Sequence, residues 1–544
     1  MDKNKKTVKK NAVSMFFSGV VILTVANILV KSVGLISKIV LNTVVGSEGA
    51  GYYSSAYEIY AFLYVISTSG LPIAISILIS KCRAQGKLKE AKKILNVSLL
   101  MFFIIGGILA SCMLAFSDNI AELISAPKTS VCIMAVAPTI LFVCLSSCLR
   151  GYFQGYQLMR PTGVSQFIEA LSKVLIGVGF AFYAKSMGYD DFTVAAYTIL
   201  GVTIGVFLGM VYLFLRRLFF KDKEHYLENP PIENEKPAST SKIVKSLSFI
   251  AVPITISSAV LSLTTIIDTF MIQGRLLESG LNEELVRIYY GDYTTLVISM
   301  INLPTILIYP IANALVPLIS SAIANKREEQ SANMRALSLR VINIISIPCA
   351  LGLGLFSKPI LDLLMFTADS VDRASPWLSI GAVSVVFLGI IAATNAFLNT
   401  AGKQMLPIIS MLAGALVKLV SNYFLLESIG IFGAPLSTVL CYFSASCLNV
   451  FFVVKYVGKL PNLKRIFGIP LVCALLSVGG ASLIYLLLSG LISGKLTTVF
   501  CIILAIISYL FLIFKMKAVT ENELLLLPKG DKIIKILAKL HILP

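Results

Sequence analysis

Lys31, Lys38, Glu169, Lys173, Asp268 and Lys418 fall inside segments that are otherwise apolar. A charged side chain at the centre of a hydrocarbon layer costs about 2.5–3.5 kcal/mol on insertion scales, so each must face a cavity, a partner or an interface. Four lysines against two carboxylates favour an anion, because ammonium groups act as adaptable point charges toward phosphate oxygens. Each position also has a plainer reading. Glu169 and Lys173 are i,i+4 in the favourable order and can neutralise each other. Lys38 and Asp268 lie nearer the outer ends of their segments, where they either snorkel or pair across two lobes. Lys31 and Lys418 are central, with no acid within one turn, which points to a polar cavity. Arg150, followed by Gly151, Tyr152, Phe153 and Gln154, stands at the cytoplasmic end of its segment. It reads either as a headgroup receptor at an entrance or as an ordinary positive anchor.

The segments that carry these residues define the class. With 57% hydrophobic and 14% charged residues and a mean hydropathy of +0.87, the 544-residue chain exceeds what soluble cores can hide. A crossing needs about 20 apolar residues, since a helix rises about 1.5 Å per residue through a layer about 30 Å thick. Windows of that length place fourteen crossings near 14–44, 55–80, 93–117, 129–149, 161–184, 192–215, 246–274, 293–324, 336–357, 374–401, 406–426, 433–454, 466–492 and 496–514. The expected class is an all-α integral membrane protein.

Loop charge orients it. Of 46 Lys and Arg residues, 35 fall on one set of alternate loops, 7 on the other and 4 inside apolar segments. Positive residues in short loops are retained in the cytoplasm, so both termini are expected there. The net charge of +18 then faces anionic membrane lipids and needs no nucleic acid to explain it. The lysine-rich start, Met1 to Lys10, resembles a signal peptide, but the apolar stretch after it is too long and lacks a small-residue cleavage site. It is read as an uncleaved first helix. The ten cysteines, including Cys144 and Cys148 one turn apart, have no metal-type spacing and read as packing residues. His225 and His541 lie in polar segments, and the longest outer loop, 275–292, has no paired-carboxylate or metal motif. Neither an enzyme nor a cofactor is expected.

Two stretches are plainly polar. Residues 221–242, KDKEHYLENPPIENEKPASTSK, have the composition of a mobile linker, and they fall where a two-lobed protein needs a joint. In the C-tail, Thr520 and Glu523 have capping-box spacing, and Ile533, Ile536, Leu537 and Leu540 oppose Lys532, Lys535 and Lys539. That tail should lie along the inner membrane surface. The two sides of the linker repeat. LRGYFQG at 149–155, Pro161 and EALSKVL at 169–175 match TNAFLNT at 394–400, Pro407 and GALVKLV at 414–420. ISKCRAQGK at 79–87 matches ISSAIANKR at 319–327, and Lys38 lines up with Asp268. The expectation is an N-lobe at 1–220 and a C-lobe at 243–458, each of six helices and related by a parallel pseudo-twofold repeat, with crossings 13 and 14 within 459–517 and the tail at 518–544. Parallel repeats belong to carriers that bind near the midplane and rock one lobe against the other.

Fourteen helices in two halves, with RGYFQG and its following proline, resemble the multidrug/oligosaccharidyl-lipid/polysaccharide exporter superfamily. The stretches IIDTFMIQGRLLESGLNEELVRIYYGDY at 266–293 and VKSVGLISKIVLNTVVGSEGAGYYSSAYEIY at 30–60 are similar to its stage V sporulation protein B and polysaccharide biosynthesis branch, related to the MurJ lipid II flippases. The resemblance implies a plasma-membrane carrier that turns undecaprenyl-pyrophosphate-linked headgroups from the inner to the outer leaflet, for cell-wall or spore-cortex peptidoglycan. It assigns Lys31 the role of a cavity-facing basic residue of the first helix, and crossings 13 and 14 a groove for the lipid tail. On this reading Lys31, Lys173 and Lys418 screen the pyrophosphate while the lobes rock about 221–242. The chain has Lys where those flippases often carry Arg, and Lys cannot bind phosphate bidentately. Three other readings stay open: a flippase for another lipid-linked glycan, a multidrug antiporter, whose cavity should show acidic excess, and a membrane glycosyltransferase. The coupling ion is open too, with Glu169 and Asp268 as proton or sodium carriers or as structural partners.

Overall fold

The structure is a computed structural model describing residues 36–220, 235–309, 328–364, 366–460, 462–488 and 494–516, with 30, 33, 34, 232, 311 and 312. Lys31, most of the first expected crossing, most of the 221–242 linker, the ISSAIANKR stretch and the amphipathic tail lie outside the described residues. All regular elements among the described residues are helices. Lipid offers no hydrogen-bonding partners, and a helix satisfies its own backbone.

The first part of the chain forms α1 (Gly46–Thr68), α2 (Gly70–Ala84), α3 (Leu88–Ala115), α4 (Pro138–Gly155), α5 (Arg160–Ser186), α6 (Asp191–Leu218), α7 (Thr240–Glu278) and α8 (Glu283–Asp292). The second part forms α9 (Glu328–Leu355), α10 (Ala368–Gly381), α11 (Ser384–Thr400), α12 (Met405–Ile429), α13 (Gly433–Tyr456), α14 (Ile469–Leu488) and α15 (Gly494–Lys515). Eleven helices among the described residues are long and apolar enough to cross a bilayer, or twelve if α10 and α11, bent by 44°, are one crossing. The sequence expectation of fourteen is higher because two apolar runs, Ile36–Ala84 and Met405–Tyr456, each hold parts of two expected crossings. The second run breaks at Gly430, whose φ of 59° ends α12.

The chain divides into two compact units, Met1–Gly291 and Asp292–Pro544. The first keeps α7 and α8, which the repeat had grouped with the second lobe. The reason is packing. A methyl on Gly70 of α2 would meet the Ala251 carbonyl of α7 at 2.2 Å, and one on Gly51 of α1 would meet the Arg287 carbonyl of α8 at 2.3 Å. Gln273 of α7 donates to the Ser55 hydroxyl of α1 at 3.0 Å. The described end of the 221–242 stretch is docked. Glu235 accepts from the backbone N–H groups of Lys89 and Glu90, both at 2.6 Å, and so satisfies two open donors at the start of α3.

Two helical hairpins, α5–α6 and α12–α13, occupy equivalent places in the repeat. Helices in lipid gain little from burying apolar surface, so small residues that let backbones touch bring them together. Gly201, Gly205 and Gly209 form such a stripe on α6. A methyl on Gly205 would lie 2.8 Å from the Glu169 carbonyl and 3.0 Å from the Lys173 nitrogen, and one on Gly201 would lie 2.5 Å from Gly177. In α12, Gly414 lies against α13, where its added methyl would meet the Cys441 carbonyl at 2.7 Å. The RGYFQG motif works in the same way. Gly151 and Gly155 leave room for Pro72 and Ile79 of α2, which added methyls would approach to 2.7 and 2.8 Å.

Gly205→Ala is therefore expected to destabilise the protein by about 1–3 kcal/mol, the usual cost of overpacking a tight contact. Thermal unfolding in detergent measures it. A melting temperature equal to the parent's would show that α5 and α6 can separate freely.

Candidate functional site

Helix α1 carries Tyr53, Tyr57, Tyr60 and Tyr64, spaced by four, three and four residues and so sharing one face. Their rings form a continuous row of contacts, stacked at the first pair and tilted at the next two. Tyr53 and Tyr57 are parallel within 13° at 5.7 Å, Tyr57 and Tyr60 are 5.7 Å apart, and Tyr60 and Tyr64 are 5.9 Å apart. Charged residues meet this stack at two levels.

At Tyr57 the ammonium of Lys173 from α5 lies 4.1 Å from the ring centroid, and that of Lys38 lies 5.7 Å away. Neither lysine has a carboxylate at ion-pair distance among the described residues. Both share the attraction of a cation for the ring's negative face, and Lys173 also meets the Tyr53 hydroxyl. Glu58, next along α1, feels Lys38 and Lys173 and also Asp268. Asp268 of α7 is buried, and its field also reaches Tyr290 of α8, whose hydroxyl donates to Thr269 at 3.1 Å.

At the other end of the stack Arg150 is buried. Its Nη2 bonds Glu169 Oε2 at 2.7 Å and its Nε donates to Ser165 Oγ at 3.1 Å. Tyr64 lies in the field of that pair. The RGYFQG arginine thus joins α4 to α5 and is neither an exposed anchor nor an open receptor. Glu169 answers Arg150, so the local Glu169–Lys173 pair is not the one formed. The Lys38–Asp268 pair is not formed either, because Lys38 sits on Tyr57.

Lys418 belongs to the second unit. It is 2% exposed, and its ammonium donates to Thr438 Oγ1 of α13 at 2.9 Å, an oxygen also bonded to the Tyr293 hydroxyl at 3.1 Å. One turn on, Asn422 accepts from Ser437. These contacts tie α12 to α13, so Lys418 pins a hairpin. Lys31 lies outside the described residues.

The sequence reading missed Glu58. Its expected crossing began at 55, where a carboxylate so near the end reads as solvated, whereas α1 begins at Gly46 and places it, partly buried, in the middle of the helix. Among the described residues of this cluster, Lys38, Lys173 and Arg150 are matched in number by Glu58, Glu169 and Asp268, while Lys31, which the sequence reading also counted, lies outside them. The tyrosine spacing of four, three and four is also legible in the sequence.

The second unit holds a cavity of about 740 Å³ with an almost wholly apolar lining that includes Leu303, Leu307, Phe356, Val478, Ile506 and Tyr509. The Tyr509 hydroxyl turns away to donate to the Ile344 carbonyl at 2.8 Å, leaving its ring to the cavity. Helix α15 lines it more than α14 does, with α9 and residues 300–307 completing the wall. Among the described residues no group of carboxylates, cysteines or histidines has the arrangement of a metal site.

Two hairpins of matched place in one chain, a charged and aromatic cluster inside membrane-spanning helices and an apolar cavity define a multi-pass membrane transporter. The sequence pattern of the family described as polysaccharide biosynthesis protein matches residues 16–323, and that of the MatE family matches residues 294–424. The chain is 27% identical over 483 residues to stage V sporulation protein B of Bacillus subtilis (strain 168), covering 85% of this chain and 88% of that one. It is 24% identical over 458 residues to lipid II flippase MurJ of the same organism, covering 81% and 83%. A solved structure of lipid II flippase MurJ in an inward closed conformation superposes with a TM-score of 0.69 at 16% identity, over 91% of this chain and 99% of that one. The chain belongs to the polysaccharide biosynthesis protein family, in the stage V sporulation protein B and MurJ branch of the MOP exporter superfamily.

Removing half of a buried ion pair strands the other charge, so Glu169→Gln is expected to cost about 3 kcal/mol or more. Replacing both partners, Arg150→Met with Glu169→Leu, should recover most of the loss. Melting of the three proteins in detergent tests this, and an unshifted Glu169→Gln protein would mean that the pair does not hold α4 to α5.

Proposed function

We propose that the protein is a flippase that moves undecaprenyl-pyrophosphate-linked peptidoglycan precursor, lipid II, from the inner to the outer leaflet of the cell membrane by alternating access, with both termini cytoplasmic. The observation that carries this reading is the pair of membrane-embedded lysines held on an aromatic ring. Among the described residues neither has a carboxylate at ion-pair distance, which leaves them available to a phosphate group. The similarity, over 81% of this chain, to a protein named as a lipid II flippase supports the lipid class. The apolar cavity in the second unit is of the character a polyprenyl chain requires. A sugar headgroup cannot cross hydrocarbon unaided, while its tail never has to leave it.

On this reading Lys38 and Lys173 replace part of the water that the pyrophosphate gives up. Glu58 is their counter-charge while no substrate is bound, and net charge carried through the membrane field is worth about 2.3 kcal/mol per charge per 100 mV. A second reading is favoured by the family description itself, which covers residues 16–323: the headgroup is the repeat unit of another lipid-linked polysaccharide.

The test is leaflet-resolved accessibility of lipid II in cells depleted of their own flippase. The native chain should restore outer-leaflet lipid II, and a Lys38→Gln, Lys173→Gln variant at equal abundance should restore roughly a tenth of that or less, the scale expected for losing charged phosphate contacts. Full activity of the variant would remove these lysines from the site. Failure of the native chain with lipid II, and success with a capsule or teichoic precursor, would decide for the second reading.

A further inference from the structure

Lys38 lies ahead of α1 and Lys173 lies in α5, yet both ammonium groups come to Tyr57, at 5.7 and 4.1 Å from its centroid. Two like charges at one place repel. Glu58 attracts both from beyond ion-pair distance and Lys173 also meets the Tyr53 hydroxyl, but the group that both ammonium groups approach closely is the face of this ring. The ring itself is flanked by its neighbours in the row, parallel to Tyr53 within 13° and tilted by 54° against Tyr60. Tyr57 is partly buried and fixed, so it serves as a platform and not as a loose side chain.

We infer that Tyr57 is the positioning residue of the anion site: its ring holds the ammonium groups of Lys38 and Lys173 together, where a diphosphate can span both. The ligand class rests on the flippase reading above, whereas the positioning rests on the ring geometry alone. A bare aliphatic side chain at 57 offers neither the face nor the spacing, while phenylalanine keeps both.

The experiment uses the full-length protein in nanodiscs with its lysines ¹³C-dimethylated, which preserves their charge. Ring currents should shift two lysine signals upfield in the native protein. One should vanish in Lys38→Arg, the other in Lys173→Arg, both in Tyr57→Leu and neither in Tyr57→Phe. With undecaprenyl pyrophosphate as the probe, Tyr57→Leu should bind roughly tenfold more weakly and Tyr57→Phe within about threefold of native, the range expected when a desolvated cation loses or keeps its ring. Binding of undecaprenol should be the same in all. Absence of shifted signals in the native protein, or native affinity in Tyr57→Leu, overturns the inference. Shifted signals in a native protein that binds no pyrophosphate lipid would support the positioning and overturn the flippase reading instead.

Discussion

The hydrocarbon layer contains no water to pair with a polar group, and the rest of the structure depends on that constraint. It makes the described chain helical, and it dictates what the hydroxyls do. Ser55, Thr198, Thr394 and Ser410 each turn back to a backbone carbonyl four residues earlier, at 2.7–3.1 Å. It also sorts the charges. Arg150 is buried because Glu169 and Ser165 meet its guanidinium and Lys418 because Thr438 accepts from it, while Lys38 and Lys173, partly buried, meet an aromatic face. Each solution satisfies the same requirement with different mobility.

The constraint also shapes packing. With apolar surface as content in lipid as against another helix, tight association relies on van der Waals contact and close backbones. The glycines of α6 bring its backbone against α5 at the carbonyls of Ser165, Glu169 and Lys173. The same turns of α5 carry the carboxylate that meets Arg150 and the ammonium that meets Tyr57, and a methyl on Gly209 would come within 3.9 Å of that Glu169 carboxylate. Packing against α6 therefore sets the height of these charges along α5. A mutation at Gly209 would reach the Arg150–Glu169 pair directly.

Much of this was legible from the residues. Apolar windows and the matched stretches around Pro161 and Pro407 located the crossings and the hairpins, because lipid burial writes itself into composition over about twenty residues. The charged positions were found for the same reason, but their partners were not. Arg150 finds Glu169 through the approach of α4 to α5, and Glu235 reaches α3 from the linker. No local pattern encodes either contact. Lys418 and Lys173 are equivalent in the repeat, yet one is locked in a hairpin and the other rests on a ring. The difference lies in what faces them, Thr438 in one case and Tyr57 in the other. Glu58 was obscured by a helix boundary, which periodicity defines least well.

The contrast between arginine and lysine in the cluster follows from what a carrier must do. A guanidinium offers a planar fork that a carboxylate matches closely, and Arg150 uses it where permanence is needed, between α4 and α5. A transported anion has to be released on the far side, and a forked grip would slow release. An ammonium on a ring is held by about 1–2 kcal/mol with no directional bond, so it can leave the ring for a phosphate and return when the phosphate departs. On the proposed function, lysines held in this way fit a site that exchanges partners. The tyrosine row and the Arg150–Glu169 pair would frame that site, and the two ammonium groups between them would be the part that changes partner.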